Sequence, residues 1–343
     1  MLSVIHRRHG AAADVLEAIE TADPGAPGSG QVRIRVACAA MHPGDLQVVE
    51  GSPASGGLRP IEAAGRTPGF DGAGVIEAFG PGIDAALGLR VGQPVTYFPV
   101  RNGWSAHVLA PADAVTVVPH GVSLEVAAQA LINTFTAEVI IRAGHAAWPD
   151  DQRDAVTVIQ TGAASAVGRI ITALLVERQV QVIRLVRSQA SARQLAQDAV
   201  QGPVIATGAP DWQDALRRAA SGKPLYVAVD GVGGPLLAPI AEVLSPGGTI
   251  VSYGAMGGAD ADIRLLVPRS LTIQGVTVAG WPGLPAELRR ADVQTALRLA
   301  ATRPDLFPVE AVYPPGQIRQ AVDHLRRPGR SGAVLLKFEG VEP

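Results

Sequence analysis

"VTVIQTGAASAVGRIITALL", residues Val156 to Leu175, changes its period halfway along. The first part is an apolar, β-branched run, the pattern of a strand buried on both faces. From Val167 the apolar residues fall at i, i+3, i+4 and i+7: Val167, Ile170, Ile171 and Leu174. That spacing makes one face of a helix laid on a sheet. Gly, Ala and Ser build the turn between them. A strand that passes through small residues into a helix opens a βαβ unit, and its turn is a natural phosphate site. The helix start offers unpaired N–H groups and the positive end of its dipole. Aligned with the G-x-G-x-x-G dinucleotide pattern, the last glycine is Gly168, while Ala163 and Ser165 hold the earlier places. The fingerprint is degenerate, so the surrounding pattern must support it.

That pattern alternates. Strands are predicted over 156–160, 180–186, 203–207, 225–230, 248–253 and 271–278, with helices near 166–178, 190–200, 211–220 and 233–244. Such alternation implies an α/β, doubly wound parallel sheet. The second strand ends at Leu185-Val186-Arg187-Ser188-Gln189. An NAD-binding unit places an Asp or Glu about 20 residues past its glycines to hold the ribose 2′-hydroxyl. Here the place holds Arg187, beside Ser188 and followed by Arg193. A cation suits a 2′-phosphate, so the expected cofactor is NADPH. "GGTIVSYGAMGG" (247–258) ends a later strand on glycine-rich backbone, where a nicotinamide ribose would pass.

Before about Pro119 the rhythm is different. Short strands at 31–40, 72–80, 93–98 and 104–110 are punctuated by Gly and Pro, the pattern of a β-rich domain. A helix over 286–302 and a strand from Gly332 to Phe338 follow the alternating region, and the strand is expected to return to the first domain. The expected division is 1–124, completed by about 282–343, and 125–281.

Of the 343 residues, 47% are hydrophobic and 17% charged, which suits a folded chain and not a disordered one. A formal net charge of −2 argues against a nucleic-acid or anionic-membrane binder, because both require a basic field. Apolar stretches read as strand-sized, so no bilayer span is expected, and the N-terminus lacks the apolar core of a secretory signal. The cytoplasm is the expected compartment. Cys38 is the single cysteine, so an intrachain disulfide and a Cys-rich zinc site are excluded. It reads as a buried apolar residue.

Over nearly its whole length the chain resembles the medium-chain dehydrogenase/reductase superfamily. That implies a GroES-like β-rich catalytic domain, a Rossmann domain and a returning C-terminal strand, with the active site in the cleft between them. Zinc-dependent members carry G-H-E-x-x-G and an upstream Cys ligand. The matching stretch here is Gly69-Phe70-Asp71-Gly72-Ala73-Gly74, and the upstream place holds His42. One imidazole does not make a three-ligand zinc site, so no metal is expected.

Among zinc-free members the chain looks most like the 2-enoyl thioester reductases, with quinone oxidoreductases beside them. The motifs are "QTGAASAVG" (160–168), "INTFTA" (132–137), "LVRSQ" (185–189), "GGTIVSYGAMGG" and "LTIQGVTVAGW" (271–281). The resemblance implies NADPH neighbours at Asn133, Ser165, Ala166, Val167, Arg187, Ser188, Tyr253, Gly254, Ala255, Met256, Val276, Thr277 and Val278, beside Gly168 of the fingerprint. It also implies pairing into a homodimer through an edge strand such as 271–278. One departure stands out: where the enoyl reductases place a catalytic Tyr, this chain has Pro53.

Candidates for polar work on a substrate are His42, Asn133 and Thr136. Asp45 reads as a helix cap, Tyr97 as packing, and Trp104 and Trp281 either as domain packing or as walls of an apolar pocket. The expected activity is NADPH-dependent reduction of an activated C=C bond in an enoyl thioester or enone. NADPH:quinone oxidoreduction is the alternative, and a non-catalytic NADPH-binding protein is an alternative of another class.

Overall fold

The structure is a computed structural model that describes residues 1–53, 57–148, 157–197, 200, 202–258 and 262–339. Val156, and Asp198 and Ala199 of the helix expected over 190–200, lie outside the described residues. The chain divides into two compact units, Met1–Ile132 with Pro285–Pro343, and Asn133–Leu284.

The first unit begins with β1 (Leu2–Ile5), α1 (Ala12–Val15), β2 (Glu17–Glu20), β3 (Gln31–Met41), α2 (Pro43–Glu50), β4 (Gly72–Phe79), β5 (Pro94–Tyr97), β6 (His107–Pro111) and β7 (Val115–Val117). β3 shows why. Val32, Ile34 and Val36 alternate into the core at 0% exposure. Arg33 and Arg35 alternate outward to Glu77 on β4, at 3.0 and 3.3 Å. From Ala37 the strand is buried on both faces, and its residues become small: Ala37, Cys38, Ala39 and Ala40.

Next comes α3 (Leu124–Ala146), within which the division falls. The sequence pattern put the boundary at the helix start, and the structure puts it after Ile132. The reason is packing: Leu124, Ala127 and Ala128 cluster with Ala37, Cys38, Ala73 and Val75 of the first unit. The helix also corrects the reading that apolar stretches are only strand-sized. It is long and apolar enough to cross a bilayer, yet most of that stretch is buried, as in a core helix.

The second unit runs β8 (Thr157–Gln160), α4 (Ala166–Glu177), β9 (Gln181–Val186), α5 (Gln189–Leu195), β10 (Val204–Ala206), α6 (Trp212–Ala220), β11 (Val227–Asp230), α7 (Leu237–Val243), β12 (Thr249–Ser252) and β13 (Thr272–Gly275). These strands form one parallel sheet in the order β10-β9-β8-β11-β12-β13. Ile159, Ile183, Ala228 and Ile250 fill its core with Leu216 and Ile240 from the helices.

The chain then closes with α8 (Ala286–Thr302), β14 (Val309–Tyr313), α9 (Ile318–Leu325) and β15 (Ala333–Lys337). β15 pairs antiparallel with β3, Val334 opposite Met41, so the expected return strand is present. The first unit's large sheet has the order β14-β15-β3-β4-β5-β7, with β6 on β3.

Candidate functional site

In the second unit the strand order runs outward in opposite senses from β8 and from β11. That reversal is a topological switch point, and ligands of doubly wound sheets bind outside the carboxyl ends of the strands there. Two loops meet at this place, Thr161 to Ser165 after β8 and Gly231 to Gly234 after β11.

The first loop tightens at Gly162, which adopts φ +60°. Ser165 caps α4, its hydroxyl accepting from the Gly168 N–H at 3.0 Å. A Cβ on Gly168 would stand 2.2 Å from the Gly162 carbonyl oxygen and 2.9 Å from the Ser165 Oγ. Only a glycine lets the helix seat against its own entry turn. Beneath it, buried Gln160 donates to the Gly168 carbonyl at 2.6 Å and accepts from the Thr172 hydroxyl at 2.7 Å. Ser165, Ala166 and Val167 stay partly or fully exposed, while Ile170, Ile171 and Leu174 are buried. The first helical turn therefore presents its amides outward, and the later turns pack. Gly168→Ala should lose about 1–2 kcal/mol through overpacking, with weaker dinucleotide binding, read by denaturant unfolding and by titration.

The second loop is fixed by Asp230, which is fully buried. Its carboxylate accepts from the Thr161 hydroxyl at 2.6 Å, from the Val232 N–H at 3.1 Å and from the Gly233 N–H at 2.9 and 3.1 Å. Thr161 Oγ1 in turn accepts from the Gly231 N–H at 2.9 Å. One acid thus ties the ends of β8 and β11 together. A third loop, after β12, lies against them. The Tyr253 N–H donates to the Asp230 carbonyl at 2.9 Å, and the Gly257 N–H to the Val232 carbonyl at 2.7 Å. A Cβ on Gly234 would stand 2.2 Å from the Gly257 carbonyl oxygen, so the two loops touch backbone to backbone. Burial, reinforced by the Asp230 charge, pushes the Tyr253 phenol up; a hydrogen bond with Ser165 works against it. Gly254 lies on this loop with Ala255 and Met256, both exposed.

Arg187 follows β9 and is exposed. Its guanidinium makes no ion pair or hydrogen bond among the described residues. Ser188 beside it caps α5, accepting from the Ser191 N–H at 3.1 Å. Val276, Thr277 and Val278 follow β13, and Thr277 accepts from the Ala279 N–H at 3.2 Å. The second unit so brings together, at the carboxyl ends of its strands, the expected groups 165–168, 187–188, 253–256 and 276–278. A backbone-lined cradle beside a guanidinium with no partner among the described residues fits a dinucleotide with an extra phosphate.

His42 belongs to the first unit. It stands at the start of α2 in extended backbone, followed by Pro43. The N-cap of α2 is His42 and not Asp45: Asp45 stands at N3, where its Oδ2 accepts from the His42 N–H at 2.8 Å and the His42 side chain faces the Asp45 N–H, a reciprocal capping box. His42 Nε2 lies 3.0 Å from both oxygens of Asp71, which is 1% exposed. The ring also stacks on Phe70, centroids 5.9 Å apart and planes at 7°. Burial works against protonation of His42, but the charges of Asp71 and then Asp45 outweigh it and hold the imidazole up at about 9. Burial likewise pushes Asp45 up to about 7, against the pull of His42. Tyr97 is fully buried and its hydroxyl has no partner among the described residues, so it packs. The described residues contain no group of three or more His, Cys, Asp or Glu placed to hold a metal ion. Phe70 has no lone pair to offer one, and these residues do not fit a zinc site.

Asn133 and Thr136 stand one turn apart on α3 in the second unit, Asn133 buried and Thr136 half-buried. The pocket-wall reading of Trp104 does not hold. It is fully buried in the first unit's core, donating from Nε1 to the Ala40 carbonyl at 3.3 Å. Trp281 stacks on Phe135 within the second unit, at 4.1 Å and 7°. Cys38 is buried, which pushes its thiol up to about 12. Sequence reasoning missed Asp230, Thr161 and the partnership of Asp71 with His42. An acid at a strand end before Gly-Val-Gly-Gly was the signal available for Asp230.

The family model for the alcohol dehydrogenase GroES-like domain matches residues 28–130, and that for zinc-binding dehydrogenase matches residues 166–302. The Schizosaccharomyces pombe "Probable quinone oxidoreductase" is 30% identical over 78% of this chain and 79% of its own length. The mitochondrial enoyl-[acyl-carrier-protein] reductase of Xenopus tropicalis is 24% identical over 86% of this chain and 82% of its own. In fold, the chain is similar to the crystal structure of Escherichia coli quinone oxidoreductase complexed with NADPH. That likeness has a TM-score of 0.82 at 21% identity and covers 98% of this chain and 100% of that one. The chain belongs to the medium-chain dehydrogenase/reductase superfamily of oxidoreductases, among its zinc-independent members.

Proposed function

We propose that the protein is an NADPH-dependent reductase of conjugated carbonyl acceptors, quinones and enones. The observation that carries the reading is the cradle at the β8/β11 switch point with exposed Arg187 at the end of β9. The amides of Ala166 and Val167, above the Ser165 cap, would bind the pyrophosphate. Arg187 and Ser188 would bind the 2′-phosphate, and the glycine backbone of 231–234 and 254–257 would line the path to the nicotinamide. Bound there, the cofactor supplies a hydride to an electron-poor carbon. Asn133 and Thr136 are assigned to the substrate carbonyl, where a hydrogen bond stabilises negative charge as it grows.

The quinone arm is supported by the 30% identical relative named as a quinone oxidoreductase and by Pro53. A reduced quinone takes its protons from water and needs no phenol. The enone and enoyl thioester arm is supported by the enoyl reductase relatives. The same reading includes a cytoplasmic homodimer joined along β13, whose edge is exposed.

The test is a panel of 1,4-benzoquinone, a 2-alkenal and crotonyl-CoA, followed by loss of NADPH absorbance. Turnover of a quinone or an alkenal is expected. Tight NADPH binding with no turnover of any acceptor would instead support the non-catalytic alternative.

A further inference from the structure

Residues three apart on a regular strand point to opposite faces. β14 departs from this at Glu310. Val309 pairs with Ala333 and Ala311 with Val334, so Glu310 is the extra residue of a β-bulge. The bulge re-aims its side chain, and Glu310 and Tyr313 both reach the ring of His324 on α9. The Tyr313 hydroxyl lies 2.8 Å from His324 Nδ1, and Glu310 Oε1 lies 3.2 Å from Nε2. The other Glu310 oxygen accepts from the Gly332 N–H at 2.9 Å, from the Ser331 N–H, and from the Ser331 hydroxyl at 3.3 Å. A Cβ on Gly332 would stand 2.7 Å from the Glu310 nitrogen, so a glycine lets this turn close on the bulge. Burial works against the Glu310 charge, but the hydrogen bonds from Ser331, His324 and Gly332 outweigh it and hold the carboxyl below its usual range.

These donors and acceptors fix the direction of the chain of hydrogen bonds. An ionised carboxylate only accepts, so the proton of the neutral ring sits on Nε2 and Nδ1 is left as an acceptor. Tyr313 then donates its O–H to Nδ1. A hydroxyl held on a base, with the base oriented by a third group, is the arrangement of an activated nucleophile. The three groups reach the surface. Tyr313 is half-buried, and the His324 and Glu310 side chains keep 13% and 28% of their surface exposed. All three belong to the first unit and none is part of the cofactor cradle.

We propose that Tyr313 is a nucleophilic phenol that accepts an acyl group from an activated ester, with His324 as its base and Glu310 as the positioning residue. The phenol oxygen attacks the ester carbonyl carbon, and the phenol proton passes to His324 Nδ1. The bond to the leaving aryloxide breaks with its electron pair, and an acyl-tyrosine ester remains. The imidazolium then gives its extra proton to water, while Glu310 stays ionised on Nε2. With a sulfonyl fluoride the same attack forms an oxygen–sulfur bond and expels fluoride, which leaves a stable mark on the reacting residue. Arg330, whose guanidinium donates to the Gly332 carbonyl, is the cation that acts on Glu310 from the same turn. The inference is independent of the reductase reading.

The test treats the full chain with p-nitrophenyl acetate and with benzenesulfonyl fluoride, wild type beside Tyr313→Phe, His324→Gln and Glu310→Gln. Nitrophenolate release is followed by absorbance, and the site of each adduct by peptide mass spectrometry. NADPH binding and denaturant unfolding are measured beside them. Half-buried Tyr226, which has no histidine partner among the described residues, is the internal reference. In wild type, Tyr313 should be labelled at least about tenfold faster than Tyr226. The adduct should be absent from Tyr313→Phe. Labelling of Tyr313 should slow roughly 100-fold in His324→Gln and by a smaller factor in Glu310→Gln, with NADPH binding unchanged. 15N NMR of the wild type should show the His324 proton on Nε2. Labelling of Tyr313 no faster than that of Tyr226, or unchanged by His324→Gln, overturns the proposal. So does a neutral His324 ring with its proton on Nδ1. If His324→Gln does not fold, the two tyrosines of the wild type and the NMR tautomer decide.

Discussion

Asp230→Ala should be among the most damaging single substitutions in the second unit. The carboxylate is the shared acceptor for the Thr161 hydroxyl and the Gly233 amide, both buried, and for the part-buried amide of Val232. Alanine leaves these donors without an acceptor, and each buried unsatisfied donor costs about 1–3 kcal/mol. Water entering the gap and relaxation of the loop recover part of this, so the expected loss is about 3 kcal/mol of unfolding free energy. The loop after β11 also loses the tie that holds it to β8, so dinucleotide affinity should fall with stability. Asp230→Asn keeps one acceptor oxygen and should lose less on both measures. Denaturant unfolding and cofactor titration of the two variants decide the matter. An alanine variant as stable as wild type would mean that the loop is held by its glycine backbone contacts alone.

The second large effect falls on affinity and not on folding. Arg187→Glu replaces an exposed guanidinium, without a partner among the described residues, by a carboxylate, so the fold should be indifferent to it. A charge-assisted phosphate contact is worth about 1–3 kcal/mol, which is about 5- to 150-fold in Kd. NADPH should weaken by that factor and NADH should not. Because the side chain is exposed, the NADPH preference of wild type should also shrink as salt rises. Equal losses for the two cofactors would mean that Arg187 supports the loop and does not read the 2′-phosphate.

Much of this was legible in the sequence. The stretch from Thr157 to Leu175 behaves as its periodicity says, because a parallel strand and a helix facing a sheet leave different apolar spacings. The return strand was visible for the same reason, since Ala333 to Leu336 is an unbroken apolar run of strand length. The division within α3 was not visible. A helix whose first turns pack on one core and whose later turns lie in another unit carries no internal stop signal. For Trp104 the choice between packing and a pocket wall was not visible, because aromatic identity does not say which partners surround it. Here a glycine at 69 opens the space that the indole fills, a Cβ there standing 2.4 Å from the ring.

The site divides in the same way. Arg187 and Ser165 are placed by local rules, one following a strand and the other capping a helix. The Asp230–Thr161 tie joins residues 69 positions apart, and the His42–Asp71 pair joins residues 29 apart. Periodicity and capping act over a few residues, so they carry no information about such long-range partners.

The account stands on recognition of a phosphorylated dinucleotide by the second unit. The most direct test is calorimetric titration of the purified wild-type protein with NADPH and NADH at low salt. NADPH is expected to bind at least about tenfold more tightly than NADH, the equivalent of about 1.4 kcal/mol. Equal affinity for the two, or no binding of either, would contradict it.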